Sequence, residues 1–189
     1  MQKKKKKKLT KIAFLDRDGV INYSNVQNGY IGHIKYFKWY KGAKKAIKLL
    51  NHNKYKVVIV TNQSGVARGF FNQKDVNNLH KYVKSTIKEY GGRINAVYHC
   101  PYHKEGKIKK FRKKSKLRKP EIGMFKLAQK KWKIDRRKSF MIGDQKTDML
   151  FAKKAKISGY LFNEENLYEF VKKKVFLYEN LKNNLISQY

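Results

Sequence analysis

Short apolar runs alternate along the chain with longer stretches whose apolar residues recur every three or four positions. The runs predict buried strands at residues 12–15, 57–60, 94–99, 139–142 and 157–162. The stretches predict helices over 42–51, 73–90, 122–132 and 149–156, and a helical tail over 166–189. Because strands that alternate with helices favour parallel pairing, we expect an α/β fold. Its predicted architecture is a Rossmann-like three-layer sandwich with a central, mostly parallel sheet and no large cap domain.

Two carboxylates, Asp16 and Asp18, follow the first predicted strand, and Gly19 comes directly after them. In open α/β sheets the ligand crevice lies beyond the carboxyl ends of the strands, so we expect both acids there. Two ionised carboxylates repel each other unless a cation bridges them, and Mg²⁺ suits oxygen ligands. Asp16 is then a candidate nucleophile for a phosphoryl group, and Asp18 a candidate proton donor to the leaving oxygen. The alternative is a turn capped by its own side chains.

Three further stretches supply what phosphoryl transfer needs. Residues 61–65, Thr-Asn-Gln-Ser-Gly, follow the second strand with hydroxyl, amide and backbone donors for a phosphate. Lys119 precedes a predicted helix and is placed to neutralise charge on the transferred group. Asp144 and Asp148 follow the strand at 139–142, so that Asp144 completes the magnesium ligands and Asp148 lies behind it. These flanking groups favour chemistry over a capped turn.

Taken in order, four motifs resemble those of the haloacid dehalogenase-like phosphatases: Asp-Arg-Asp-Gly at 16–19, Thr-Asn at 61–62, Arg-Lys-Pro at 118–120 and Gly-Asp-x-x-x-Asp at 143–148. The match covers residues 11–162. The resemblance implies that Asp16 is the nucleophile, that Asp18 is the general acid and base, and that Thr61 and Lys119 stabilise the phosphoryl group. It also implies that Asp16, Asp144 and the backbone carbonyl of Asp18 hold Mg²⁺.

The stretches 29–31, 61–69 and 118–124 look like those of the D-glycero-D-manno-heptose 1,7-bisphosphate phosphatases, which share a subfamily with histidinol-phosphate phosphatases. The run Ser-Gly-Val-Ala-Arg-Gly at 64–69 is closer to the heptose branch. The expected partner is therefore a small phosphorylated sugar, hydrolysed through an aspartyl-phosphate intermediate. The substrate-binding residues that this resemblance implies are Arg17, Gln27, Asn28, Gly29, Tyr30, Asn62, Gln63, Ser64, Arg118 and Gln145.

One loop departs from that subfamily, whose members commonly hold a structural zinc with Cys-x-His, a spacer and Cys-x-Cys. Here Cys100 and His103 are present, but three ligand positions carry Tyr102, Ser115 and Leu117. Because tetrahedral zinc needs four thiolate or imidazole donors, or nearly so, we predict no zinc. Without the metal, we expect the loop 104–117 to be mobile or held by contacts elsewhere.

The formal charge of +34 is the strongest compositional feature and normally favours nucleic acid or an anionic membrane. Of the 47 basic residues, 40 are lysine, and these are spread along the whole chain. The chain is also rich in Asn, Ile, Tyr and Phe. These four residue types and lysine all have codons rich in A and T, so a biased base composition explains much of the lysine excess. We expect no specific nucleic acid and no membrane as partners.

The predicted organisation is a basic disordered arm at 1–10 and a single phosphatase domain at 11–189, with the loop 100–118 over the active site. A 189-residue chain with one cysteine and no apolar segment of about 20 residues predicts a cytoplasmic monomer. The alternatives are a histidinol-phosphate phosphatase and a polynucleotide 3′-phosphatase of the same superfamily, the latter because of the charge and the residues at 61–69. A catalytically silent binding module ranks last, because every residue of the phosphoryl-transfer set is present.

Overall fold

Five parallel strands form one sheet in the computed structural model, which describes residues 9–24 and 29–177 of the chain. The central strand β1 spans Ile12–Leu15, and it lies between β2 (Lys56–Asn62) and β4 (Phe140–Gly143). The edges are β3 (Ile94–Cys100) next to β2 and β5 (Ser158–Leu161) next to β4. Because every pair is parallel, the carboxyl ends of all five strands lie along one edge.

Helices connect the strands. They are α1 (Ala43–His52), α2 (Gly65–Arg68), α3 (Gln73–Glu89), α4 (Gly123–Lys131), α5 (Lys146–Ala155) and α6 (Leu167–Phe170), followed by π-helical turns over Val171–Leu177. A capping box begins α3: Asn72 Oδ1 accepts from the Asp75 amide at 3.0 Å, and Asp75 Oδ2 accepts from the Asn72 amide at 2.8 Å. These bonds satisfy two amides that the first turn of a helix otherwise leaves unpaired.

Both faces of the sheet are covered. One apolar cluster joins Ala13 and Leu15 of β1 to α1, α3, α6 and the π-helical turns, and a second joins Ile12 and Phe14 to α4 and α5. Successive side chains of a strand point to opposite faces, so alternate residues of β1 enter different clusters. In the described part of the chain no element forms a separate cap over the sheet edge. The structure confirms the predicted α/β sandwich.

The predicted elements are present with small shifts of their ends. The largest shift is in α5, which begins at Lys146 rather than at 149, because the polar first turn of this helix carries site residues instead of an apolar stripe. The four-residue α2 was not predicted. The tail is helical only over 167–177 among the residues described, and 178–189 lie outside them. Of the predicted arm, only Leu9 and Thr10 are described, and the Thr10 amide donates to Lys133 O at 2.8 Å.

None of the helices described has the length and apolar character that crossing a membrane requires.

Candidate active site

The carboxyl ends of β1, β2 and β4 bring the predicted catalytic groups together. Asp16 follows β1, and its amide donates to Ile142 O of β4 at 2.9 Å, which fixes the two strand ends side by side. Thr61 is a buried residue near the end of β2. The segment before α4 adds Lys119, since Asn62 accepts from the Lys119 amide at 3.0 Å and donates to the Lys119 carbonyl at 3.2 Å. Four distant parts of the sequence therefore meet at one sheet edge.

Lys119 is a buried cation beside the candidate nucleophile. Its ammonium lies 2.8 Å from Asp16 Oδ2 and 2.6 Å from Asp148 Oδ1. Burial alone would lower the pKa of Lys119, but the charges of Asp16 and Asp148 outweigh it and raise the pKa. Lys119 is therefore a fixed positive charge beside the candidate nucleophile.

Asp16 is costly to ionise in this environment. Burial raises its pKa to about 6, with the charge of Asp148 adding to the effect and that of Lys119 opposing it. Burial also raises the pKa of Asp144, against a hydrogen bond from Gln145 Nε2 to Asp144 Oδ2 of 2.9 Å. Both acids would ionise more readily beside a further cation.

Three acids can approach one ion. Side-chain oxygens of Asp16, Asp144 and Asp148 lie within 4.8 Å of one another. Asp148 is already engaged by Lys119 and by the Gln145 amide, which donates to its Oδ2 at 3.1 Å. Asp144 Oδ1, in contrast, is buried without a hydrogen-bond partner among the described residues. A hard cation bound by Asp16 and Asp144 would satisfy that oxygen, so the donor set fits Mg²⁺.

Gly19 permits the close approach of the two acidic segments. Its φ is +82°, and a Cβ at this position would lie 2.2 Å from Asp144 Oδ2. Only glycine adopts this backbone conformation without strain and leaves that space free. The glycine after the two aspartates therefore lets Asp144 reach the β1 end of the site.

The carboxylate of Asp18 does not belong to the group of three acids, although the sequence indicated that one cation bridges the carboxylates of Asp16 and Asp18. Its Oδ1 accepts from Asn22 Nδ2 at 2.9 Å, and its Oδ2 accepts from Gln63 Nε2 at 2.7 Å. Arg17 Nη2 lies 3.0 Å from each of the two Asp18 oxygens and donates to them. Asp18 is thus held by donors rather than facing other acids, which leaves its backbone carbonyl as its predicted contribution to the metal.

A cavity of about 560 Å³ opens above these groups. It is lined by Asp16, Asp18, Ser24, Gly29, Tyr30, Ile31, Thr61, Asn62, Gln63, Ser64, Arg118, Lys119, Asp144, Gln145 and Thr147. All of the predicted catalytic residues line it, and so do seven of the ten predicted substrate-binding residues. Gln27 and Asn28 lie outside the described residues.

Arg17 departs from the prediction that placed it among the substrate-binding residues. Its side chain has no exposed surface and does not line the cavity. The guanidinium instead contacts Asp18, Gln63 and the backbone oxygen of Ile31, and lies 3.1 Å from His80 Nε2. The physical reason is that a buried guanidinium needs acceptors for its N–H groups, and Asp18, Gln63 Oε1 and the Ile31 carbonyl supply them behind the cavity surface.

Two residues that contact Asp18 or Arg17 were not predicted. Asn22 lies in the turn after β1, and its only sequence signal is its nearness to Asp18. His80 directly follows Leu79, a residue of the apolar stripe of α3. A histidine beside the apolar stripe of a predicted helix is the sequence signal that could have marked it. Ser24, Ile31 and Thr147 are further lining residues without a predicted role.

The loop 100–118 is held by contacts with neighbouring segments. The Ile108 amide donates to Ala67 O of α2 at 2.9 Å. Within the loop the His103 amide donates to Phe111 O at 3.2 Å, and the Tyr102 and Phe111 rings lie 5.9 Å apart. The sequence predicted that this loop is either mobile or held by contacts elsewhere, and the structure shows it held by contacts.

Comparison with known proteins places this geometry in a family. The family described as polynucleotide kinase 3 phosphatase matches residues 11–160. A D-glycero-β-D-manno-heptose-1,7-bisphosphate 7-phosphatase from Rhodopseudomonas palustris is 44% identical over 160 residues, which are 85% of this chain and 87% of the relative. A D-glycero-α-D-manno-heptose-1,7-bisphosphate 7-phosphatase from Photorhabdus laumondii is 35% identical over 147 residues, which are 78% of this chain and 79% of the relative.

Among solved structures, a D,D-heptose 1,7-bisphosphate phosphatase from B. bronchiseptica, complexed with magnesium and phosphate, superposes with a TM-score of 0.72 at 25% identity. The match covers 88% of each chain. The fold, the site and these relatives agree. The chain belongs to the haloacid dehalogenase-like phosphatases, in the subfamily of the D-glycero-D-manno-heptose 1,7-bisphosphate phosphatases, and is a phosphoric monoester hydrolase.

Proposed function

We propose that this enzyme removes one phosphate from D-glycero-D-manno-heptose 1,7-bisphosphate and releases the heptose monophosphate. The observation that carries the proposal is the pairing of Asp16 with Lys119 at 2.8 Å, beside Asp144, in the cavity at the sheet edge. A carboxylate, a fixed ammonium and a second carboxylate are the groups that nucleophilic phosphoryl transfer requires. Relatives named for the heptose bisphosphate supply the substrate.

In the first step an Asp16 oxygen attacks phosphorus, and the bond from phosphorus to the sugar oxygen breaks. Asp18 donates its proton to that leaving oxygen, so the sugar departs as an alcohol. In the second step water attacks the aspartyl phosphate, and Asp18 takes a proton from the water. Inorganic phosphate leaves and the Asp16 carboxylate is restored, so atoms and charges balance over the cycle.

Thr61 and Lys119 act on the non-transferring oxygens of the phosphoryl group. The Lys119 ammonium already stands beside Asp16, so it needs no rearrangement when negative charge develops. Thr61 Oγ1 accepts from Gln63 Nε2 at 2.9 Å, which leaves its own proton free for a phosphoryl oxygen. Both groups line the cavity.

Asp16, Asp144 and the backbone carbonyl of Asp18 would hold Mg²⁺. Bound there, the ion offsets the repulsion between the nucleophile and the phosphate dianion and polarises the phosphoryl oxygens. The buried, unpaired Asp144 Oδ1 supports this assignment. The sequence-based prediction that zinc plays no part in the loop 100–118 belongs to the same proposal, since residues 102, 115 and 117 supply no thiolate or imidazole.

A second cationic site supports a bisphosphate rather than a monophosphate. Arg118 lines the cavity, and its Nη1 is buried without a hydrogen-bond partner among the described residues, as is Nε of Arg68. The Arg68 guanidinium carbon lies 5.9 Å from the ring centre of Tyr30, another lining residue. Partial burial and the charges of Arg118 and Arg68 lower the pKa of His103 nearby. A second phosphate would satisfy these guanidinium groups.

A polynucleotide 3′-phosphate is the second candidate substrate, because the matching family carries that description. The rings of Tyr30 and Phe70 lie 4.9 Å apart at the cavity, and Phe70 is exposed, so a base could stack there. A strand-binding groove would place aromatic and basic residues along a path of several nucleotides. Because the relatives at 44% and 35% identity are named for heptose bisphosphate, the sugar phosphate remains the first candidate substrate.

The proposal includes a cytoplasmic monomer. The compartment is supported by the one cysteine of the chain, which permits no internal disulfide. Gel filtration tests the monomer, and cell fractionation tests the compartment.

Phosphate release from a substrate panel tests the proposal. The panel is heptose 1,7-bisphosphate, histidinol phosphate and a 3′-phosphorylated oligonucleotide, each with and without Mg²⁺. We expect the highest kcat/KM for the heptose bisphosphate and no turnover after removal of the metal. Turnover of the oligonucleotide alone would replace the substrate, and silence of the folded protein across the panel would indicate a binding module.

A further inference from the structure

Asp18 is held on both of its oxygens. Arg17 donates from Nε to Oδ1 at 3.1 Å and from Nη2 to Oδ2 at 3.0 Å, a two-pronged contact that fixes the plane of the carboxylate. Asn22 and Gln63 add one bond each. The acid–base group therefore has a defined orientation, and the strongest part of its support is a guanidinium.

Arg17 is itself held by contacts besides those with Asp18. Its Nη1 lies 3.1 Å from His80 Nε2, and its Nη2 donates to Gln63 Oε1 at 2.9 Å and to the Ile31 carbonyl. The guanidinium has no exposed surface, so water does not replace a lost acceptor. An N–H group left without an acceptor in such a place is costly, and the side chain would turn to find another.

The contact with Arg17 fixes the protonation of His80. A guanidinium only donates hydrogen bonds, so His80 Nε2 is the acceptor and the ring proton lies on Nδ1. Burial lowers the pKa of His80 to about 2, and the charges of Arg17 and His99 add to this. The His99 ring lies 5.2 Å away, edge-on, and burial lowers its pKa to about 4. His80 is therefore a neutral acceptor at every working pH.

We propose that His80 is a positioning residue for the acid–base step: as a neutral acceptor on α3 it anchors Arg17, which in turn aligns the Asp18 carboxylate. The proposal rests on the role of Asp18 in the proposed function. It is supported by two consecutive contacts: His80 Nε2 lies 3.1 Å from Arg17 Nη1, and Arg17 Nη2 lies 3.0 Å from Asp18 Oδ2.

The loss of activity that a misaligned Asp18 causes depends on the leaving group of the substrate. A sugar hydroxyl departs as an unstable alkoxide unless Asp18 delivers its proton while the phosphorus–oxygen bond breaks. The p-nitrophenolate ion is stable at neutral pH and needs no such proton. Because kcat/KM reports the steps up to formation of the aspartyl phosphate, a misaligned Asp18 lowers kcat/KM for a sugar phosphate more than for p-nitrophenyl phosphate.

The test compares His80→Phe, which keeps a ring but offers no acceptor, with His80→Gln, which keeps an acceptor. For His80→Phe we expect kcat/KM to fall about tenfold on the sugar bisphosphate and less than about threefold on p-nitrophenyl phosphate, since general acid catalysis is worth about 10²–10⁴-fold when lost completely. His80→Gln should restore most of the loss. Equal losses on both substrates would overturn the proposal, because a merely structural role does not distinguish leaving groups.

A measurement on the unaltered protein separates this proposal from the proposed function. Two-dimensional ¹H–¹⁵N spectra of the histidine rings report which nitrogen carries the proton. We expect an unprotonated Nε2 and a protonated Nδ1 for His80 from about pH 5 to 8. The opposite tautomer, or a doubly protonated ring, would overturn the positioning role whatever the enzyme hydrolyses, whereas failure on every phosphate ester would overturn only the proposed function.

Discussion

Replacing Lys119 by methionine should sharply lower both the activity and the stability of the enzyme. Only 1% of the Lys119 side chain is exposed, and its ammonium contacts Asp16 at 2.8 Å and Asp148 at 2.6 Å. Methionine has a similar length and flexibility, so Lys119→Met removes the charge and leaves little empty volume. Two buried carboxylates then lose the cation between them.

Two effects follow, with different magnitudes. Loss of a preorganised donor beside a developing charge lowers kcat by about 10²–10³-fold, or about 3–4 kcal/mol. Removal of one partner from a buried ion pair costs about 3–5 kcal/mol of unfolding free energy when the remaining acids are ionised. The pKa of Asp16 is already raised to about 6 and would rise further without the ammonium. Proton uptake therefore relieves the loss at low pH, and the stability deficit of the variant grows as pH increases.

The assay is phosphate release at saturating Mg²⁺, together with urea unfolding of the metal-free protein at about pH 5 and pH 8. Lys113→Met is the matched control, because it removes the same formal charge from an exposed position. The Lys113 ammonium lies 4.4 Å from the centre of the Tyr102 ring, away from the acids of the site. We expect the control to retain nearly the activity and stability of the parent. Equal losses from the two variants would refute the reasoning, since bulk charge rather than position would then control the rate.

Three further predictions concern the nucleophile, a glycine and the loop. Asp16→Asn should abolish turnover and raise the melting temperature of the metal-free protein at pH 8: burial raises the Asp16 pKa to about 6, so its contribution to stability falls as pH rises from about 4 to 6, a loss that Asn avoids. Unchanged thermal stability would count against this. Gly19→Ala should weaken Mg²⁺ binding, followed by the Mg²⁺ dependence of kcat, because the new Cβ would lie 2.2 Å from Asp144 Oδ2. Gly29→Ala is the control, with φ +65° and no atom of the described residues within 4 Å of the new Cβ, and equal weakening would point to backbone strain alone. A zinc-selective chelator should leave the melting curve unchanged, and a clear fall would show that loop 100–118 holds zinc.

The strands and the catalytic acids could be predicted from sequence because their signals are local. The run Ile12–Leu15 is apolar at every position, which is typical of a strand buried on both faces, and the acids stand directly after it. The helix α3 was predicted almost to the residue, since its apolar stripe and the glycines after it are both visible. The four-residue α2 gave no such signal, because it is too short to show a periodicity and begins with glycine.

The supports of the site could not be predicted, because each depends on contacts between distant segments. The pairing of Lys119 with Asp148 joins the segment before α4 to the first turn of α5. Buried Arg17 contacts His80, which is 63 residues away along the chain, at 3.1 Å from its Nη1 to His80 Nε2. A motif shows which residue types are present, whereas the direction of a buried side chain such as Arg17 depends on the acceptors that the fold brings near it.

The covalent intermediate offers the most direct test of the account. The enzyme is quenched with acid during turnover of the bisphosphate and treated with borohydride, which reduces an aspartyl phosphate to homoserine, and its peptides are then read by mass spectrometry. The account predicts homoserine at position 16, dependent on both substrate and Mg²⁺ and lost in Asp16→Asn. Homoserine at another acid, or turnover at the parent rate by Asp16→Asn, would contradict it.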